Sequence, residues 1–168
     1  MAAGLLPQSL LASPLHTPAN PEAGHVFMSQ PYLQNPAPDS MVVMFITNLL
    51  CYSWVDYGET ASLGQKAHSV TNGLVDAYSR INRIKLGGLK PGTKYFYRIS
   101  SKEITGFEPY KLTYGNTIQS EVHSFTTPAI QAAAMSCLIL NDIHDRPHSI
   151  PHLVNMNDNA PYDFVFFN

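Results

Sequence analysis

Two side chains able to ligate a metal stand two positions apart in the segment Leu140-Asn141-Asp142-Ile143-His144-Asp145. A carboxylate oxygen and an imidazole nitrogen together suit borderline cations such as Zn, Mn or Fe(II). On an extended segment, positions i and i+2 point the same way, so Asp142 and His144 can serve one ion. Two ligands hold a metal weakly, and the rest of the shell must come from elsewhere. Taken alone, the same pair is what a helix cap at Asp142 and a solvent-facing His144 would look like. Asp145 is better placed as a cap, or as a partner that orients a ligand. His144, His148 and His152 recur every fourth residue, but Pro147 and Pro151 interrupt a helical metal site. His16, His25, His68 and His123 have no neighbours that point to chemistry. No Gly-rich phosphate loop and no Gly-x-Ser-x-Gly signature is present.

The elements around the pair give it a context. Residues 136–140 (SCLIL) are a continuous apolar run, of the kind found in strands covered on both faces. Residues 149–159 can form a short helix, with Pro151 tolerated in its first turn. Residues 163–167 (DFVFF) are a second apolar run. Strand, helix, strand implies a right-handed β-α-β unit opening a layered α/β domain. In such sheets ligands bind just beyond the carboxyl ends of the strands, which is where Asp142 and His144 fall. Two parallel strands cannot cover their own faces, so this second domain, 135–168, is expected to be incomplete.

From residue 28 to 127 the pattern is all-β, with short alternating or apolar runs parted by turn residues. Strands are expected at 28–33, 41–47, 52–57, 80–86, 94–100 and 121–126. Within 52–57, Ser53, Val55 and Tyr57 should share one face and Tyr52, Trp54 and Asp56 the other. Within 80–86, Asn82, Ile84 and Leu86 oppose Ile81, Arg83 and Lys85. The stretch 102–119 reads as a long, loosely patterned loop with a local aromatic cluster. Leu89-Lys90-Pro91-Gly92-Thr93-Lys94-Tyr95 carries a Pro-Gly turn into a strand. There Tyr95 can pack inward while its hydroxyl reaches back to the upstream backbone, as in the tyrosine corner of immunoglobulin-like sandwiches.

At this point the sequence resembles a fibronectin type III domain. The resembling residues are Trp54-Val55-Asp56-Tyr57-Gly58, the segment 89–95 with Tyr97 after it, and Val122-His123-Ser124-Phe125-Thr126-Thr127-Pro128. The expected fold is therefore mainly β: a fibronectin type III-like antiparallel β-sandwich, residues 28–128, followed by the first β-α-β unit of a truncated α/β metallophosphoesterase domain.

The second part resembles the calcineurin-like metallophosphoesterases, whose first block is Asp-x-His and whose second, Gly-Asp, follows the next strand. Tyr162-Asp163-Phe164-Val165-Phe166-Phe167-Asn168 looks like the lead-in to that second block. A fibronectin-like domain ahead of such a domain is the layout of the purple acid phosphatase group. The resemblance implies a metal-dependent phosphoric-ester hydrolase in which a metal-bound hydroxide attacks phosphorus at a dinuclear site. It implies two divalent metal ions (Zn, Mn or Fe), with Asp142 and His144 as ligands of one and most other ligands beyond residue 168. Asp145 and His148 would stand behind the ligands or touch substrate. Purple acid phosphatases usually carry Gly where His144 stands, so His144 favours the wider calcineurin-like pattern over an Fe(III)–tyrosinate centre. With so few ligands, the chain alone is expected to lack appreciable turnover. The alternative is a non-catalytic fibronectin-like module that recognises carbohydrate or protein.

Composition bounds the other classes. A charged share of 13% beside 45% hydrophobic residues describes a chain that buries a core. A formal net charge of -2, with Lys and Arg scattered, argues against a nucleic-acid-binding patch. No apolar stretch approaches the roughly 20 residues that span a bilayer. Cys51 and Cys137 are too few for a disulfide framework and read as two buried thiols. Residues 1–27 form an arm in which Leu5, Leu6, Leu10 and Leu11 precede Ala12 and Ser13, resembling the end of an export signal without its basic start. A secreted, periplasmic or cell-surface protein is the expectation. Self-association through an exposed strand edge at 163–167 is a further one.

Overall fold

The structure, a computed structural model, describes residues 24–131, 134–141, 149–157 and 160–167. The chain divides into two compact units, one comprising Pro21–Ala132 and the other Ala133–Asn168 with Met1–Asn20. The arm at 1–23 and the residues Asp142, His144, Asp145 and His148 lie outside the described residues.

The first unit is a curled antiparallel sheet organised around one long strand. Its strands are β1 (Tyr32–Ala37), β2 (Ser40–Gly58), β3 (Gln65–Ala67), β4 (Val70–Thr71), β5 (Leu74–Val75), β6 (Ser79–Gly87), β7 (Lys94–Glu108), β8 (Lys111–Gln119) and β9 (His123–Thr126). The front half of β2 pairs with β1 and β6, Val43 facing Leu33 on one side and Ile84 on the other. Its back half pairs with β3 and β7, Val55 facing Ala67 and Ile99. The strand β7 then carries β9 along its first residues and β8 along its later ones. The short hairpin β4–β5 forms a sheet of its own.

Two pairing sets joined through β2 give a sandwich-like fold, and its core comes from both. Met41, Val43 and Phe45 of β2 and Ile84 and Leu86 of β6 cluster with Val55, Tyr57, Tyr95, Tyr97, Ile99 and Phe125. The burial phase follows the period of two that a half-covered strand imposes. Ser53, Val55 and Tyr57 are buried while Tyr52, Trp54 and Asp56 are only partly so, and Asn82, Ile84 and Leu86 are buried opposite exposed Ile81, Arg83 and Lys85. The tyrosine corner is present: the Lys90 amide donates to the Tyr95 hydroxyl at 3.0 Å.

Several sequence expectations need correction. The runs 41–47 and 52–57 are one continuous strand, because Asn48, Leu49, Leu50 and Cys51 stay extended between the two pairing sets. The β2–β6 register shifts there, between Ile46 and Cys51, and the Thr47 hydroxyl donates to the Leu49 carbonyl at 2.9 Å across the step. The stretch 102–119 is no loose loop but a hairpin of β7 and β8, with register shifts at Lys102/Ile104 and Ile104/Gly106 that blur its alternation. The first strand starts at Tyr32 rather than 28. Residues before it still run beside β2, through an isolated bridge between Phe27 and Thr47.

The second unit contains β10 (Cys137–Leu140), α1 (Ser149–Asn155) and β11 (Phe164–Phe167). The strands β10 and β11 pair in parallel, Cys137 opposite Phe164 and Leu140 opposite Phe167. Within these elements only Leu140 is buried, and Ile139, Phe166 and Phe167 are each more than half exposed. Cys137 is exposed, against the expectation of a buried thiol, whereas Cys51 is buried. The apolar run that contains Cys137 has the composition of a covered strand, yet among the described residues Cys137 and Ile139 stay exposed. Among the described residues no helix is long and apolar enough to cross a membrane.

Candidate metal centre

The parallel register sets the two strands of the second unit level with one another. Leu140 and Phe167 lie level, so both strands end on the same side of the pair. Asn141 follows Leu140, with Asp142 and His144 next in sequence and outside the described residues. At the opposite end the strands are clamped. Asp163 Oδ2 accepts from the Ser136 amide at 2.8 Å and from its hydroxyl at 3.1 Å, while the Asp163 amide donates to the Ser136 carbonyl at 3.0 Å. This clamp sets the register before the first ladder pair, and hence the level at which the two strands end.

His152 sits exposed on α1, in its last turn, and its carbonyl accepts from the Met156 amide at 3.1 Å. Among the described residues no three His, Cys, Asp or Glu side chains converge as a metal-binding group. The donor types at Asp142 and His144 fit a borderline metal, but one carboxylate and one imidazole do not complete a shell.

A second cluster of polar side chains, in the sandwich-like unit, was not legible as chemistry. His25 Nε2 lies 3.0 Å from Ser101 Oγ, Ser53 Oγ donates to Ser101 Oγ at 3.0 Å, and Cys51 Sγ lies 3.2 Å from Ser53 Oγ. Burial lowers the His25 pKa below its usual value, and the charge of Glu103 with hydrogen bonds to Asn48 and Ser101 opposes that shift. These groups come from residue 25, β2 and β7, so no local motif announces them. Their inward phase is the signal: Ser53 falls on the same buried face as Val55 and Tyr57, and Ser101 on that of Tyr97 and Ile99. Elsewhere in this unit, burial pushes the Tyr97 hydroxyl up to about 12.

Residues 28–127 match the model of the purple acid phosphatase N-terminal domain. The chain belongs to that family. Among solved structures, purple acid phosphatase PPD1 from yellow lupin (Lupinus luteus) seeds is similar at 16% identity, over 82% of this chain and 28% of that one, with a TM-score of 0.54. PhoD is similar at 15% identity over 80% of this chain and 26% of that one, TM-score 0.47. A redesigned β-sandwich protein is similar at 20% identity over 61% of this chain and 95% of that one, TM-score 0.40. No curated protein matches. The chain thus spans under a third of the lupin phosphatase, and the likeness to that enzyme is one of fold. Membership of the purple acid phosphatase N-terminal family relates the chain to phosphoesterases through its β-rich unit.

Proposed function

We propose that this chain is the N-terminal part of a metal-dependent phosphoric-ester hydrolase, with residues 28–128 as its scaffold domain and residues 135–168 as the opening of its catalytic domain. The single observation that carries the reading is the match of residues 28–127 to the purple acid phosphatase N-terminal domain, directly ahead of a parallel strand pair. The level ends of β10 and β11 support it, since ligands of open α/β sheets collect beyond the carboxyl ends of the strands.

In this reading Asp142 and His144 hold one ion of a dinuclear centre, whose remaining ligands the described residues do not supply. A pair of divalent ions supplies charge neutralisation at phosphorus and an activated water for hydrolysis. The role of this chain's own residues is positional. The Ser136–Asp163 clamp holds the parallel register, and Asp145 and His148 would stand behind the ligands or contact a phosphate oxygen. The apolar Leu5, Leu6, Leu10 and Leu11 ahead of Ala12 support an exported protein, secreted or periplasmic.

The test is a calorimetric titration of the chain with Zn²⁺ and Mn²⁺, together with p-nitrophenyl phosphate hydrolysis. Weak binding that disappears in the Asp142→Ala/His144→Ala double variant, with hydrolysis at background, agrees with an incomplete centre. Metal binding unchanged in the double variant contradicts it.

A further inference from the structure

The sandwich-like unit contains a cavity that a scaffold role leaves without a purpose. Its volume is about 460 Å³, inside the roughly 300–1,000 Å³ span of small-molecule sites. Cys51 and Ser53 of β2 line it together with residues of β6 and of the segment carrying the β4–β5 hairpin. Ile81 and Arg83 line it along with Asn82 and Ile84, although successive side chains of a strand point to opposite faces. The cavity therefore runs along the edge of β6. Among the described strands β6 pairs with β2 alone, so the other edge carries backbone N–H and C=O groups without a ladder partner.

The lining chemistry is polar and internally organised. Asp76 is anchored by its neighbours: its Oδ2 accepts from the Ser69 hydroxyl at 2.5 Å and the Thr71 hydroxyl at 3.0 Å, and its amide donates to the Ser69 carbonyl at 2.9 Å. Arg83 contributes a guanidinium that forms no ion pair with any described carboxylate. Asn82 is held by the Arg80 carbonyl, to which its amide donates at 3.1 Å. One acceptor-only group, one donor-only group and an open strand edge thus face a shared space. A formally charged ligand would be favoured by either Asp76 or Arg83 and opposed by the other. A neutral molecule with adjacent hydroxyls, each able to donate and accept, satisfies both.

We propose that this cavity beside the free edge of β6 binds a neutral saccharide, with Asp76 accepting from ligand hydroxyls and Arg83 donating to ligand oxygens. The site is independent of the metal centre and does not rest on the phosphoesterase reading. It is served by exposed side chains, so substitution leaves the core intact.

The experiment is a ligand-observed NMR titration of the intact chain with cellobiose, mannobiose and xylobiose, with glycine as a zwitterionic counter-probe. Saturable binding of at least one disaccharide is expected, with a dissociation constant of about a millimolar, as for a small polar ligand. Asp76→Ala and Arg83→Leu should each weaken it by at least about tenfold, the loss of a hydrogen bond to a charged group. Glu108→Gln, at the far tip of the β7–β8 hairpin, should leave it unchanged. An unaltered urea midpoint shows that each variant remains folded, and Thr71→Val, which frees Asp76 of one donor, provides a milder variant should Asp76→Ala unfold. Absence of saturation by all three sugars, equal affinity in the variants, or tighter binding of glycine than of any sugar would overturn the proposal.

Discussion

The backbone amide of Lys90 donates to the hydroxyl of Tyr95 at 3.0 Å, across the Pro91-Gly92 turn that leads into β7. The ring of Tyr95 is buried beside Phe125, with centroids 5.9 Å apart, so one side chain joins the core to the turn. Gly92 adopts a φ of 59°, a left-handed conformation that glycine reaches without cost to its side chain. Tyr95→Phe keeps the ring and removes only the acceptor. It should destabilise the unit by about 1–2 kcal/mol, the cost of leaving a partly buried amide unpaired. Urea unfolding should show a lower midpoint with an unchanged slope.

A core position and an exposed one of the same residue type should behave differently. Phe45 is fully buried and packs edge-on against Phe27 at 5.8 Å, whereas Phe107 is 54% exposed on the β7–β8 hairpin. Phe45→Ala should cost about 3–5 kcal/mol, the range for deleting a buried aromatic ring. Phe107→Ala should cost less, about 0.5–1.5 kcal/mol, the range for its ring contact with Tyr78 at 4.7 Å. Equal effects would place the core wrongly.

Gly58 ends β2 with no room for a side chain. A Cβ there would collide with the carbonyl oxygen and carbon of Leu63, which are backbone atoms and cannot rotate away. Gly58→Ala should therefore cost about 1–3 kcal/mol, as overpacking does. Gly24→Ala, where a Cβ meets nothing within 4 Å, is the matched control and should leave the thermal midpoint unchanged.

Stability should fall at both ends of the pH range. The His25 pKa is lowered in the folded state, mainly by burial, from an ordinary value of 6.5. The unfolded chain then binds more protons, so stability is full above 6.5 and is lost as pH falls from there toward the folded pKa. On the alkaline side, Tyr97 is raised by burial from 10.0 to about 12. The folded state keeps its proton while the unfolded state loses it, so stability falls as pH rises from 10 toward 12. Thermal midpoints across pH 5–8 should flatten in His25→Gln, and the decline above pH 10 should flatten in Tyr97→Phe.

Much of the sandwich-like unit was legible because its strands are covered on one face. The alternation in Tyr52–Tyr57 and around Ile84 predicts which side chains are buried, and the Pro-Gly turn predicts the corner at Tyr95. Continuity of β2 through Asn48–Cys51 was not legible, since a strand that changes partners midway breaks its own period there. The β7–β8 hairpin was hidden by its two register shifts and by side chains such as Tyr114 and Leu112, which remain exposed. The buried row of His25, Ser101, Ser53 and Cys51 joins three separate stretches of chain, and contacts of that kind leave no spacing to read. In the candidate metal centre, the sequence places Asp142 and His144 beyond a strand. The structure adds the level ends of β10 and β11.

The most direct test of the account concerns those two side chains in a protein that joins this chain to the rest of the proposed catalytic domain. Metal content by elemental analysis and p-nitrophenyl phosphate turnover should be measured for the parent, Asp142→Ala and His144→Ala. The account predicts that each substitution depletes bound metal and lowers kcat by at least about a hundredfold, as loss of a catalytic metal ligand should. Full metal loading and undiminished turnover in both variants would contradict it.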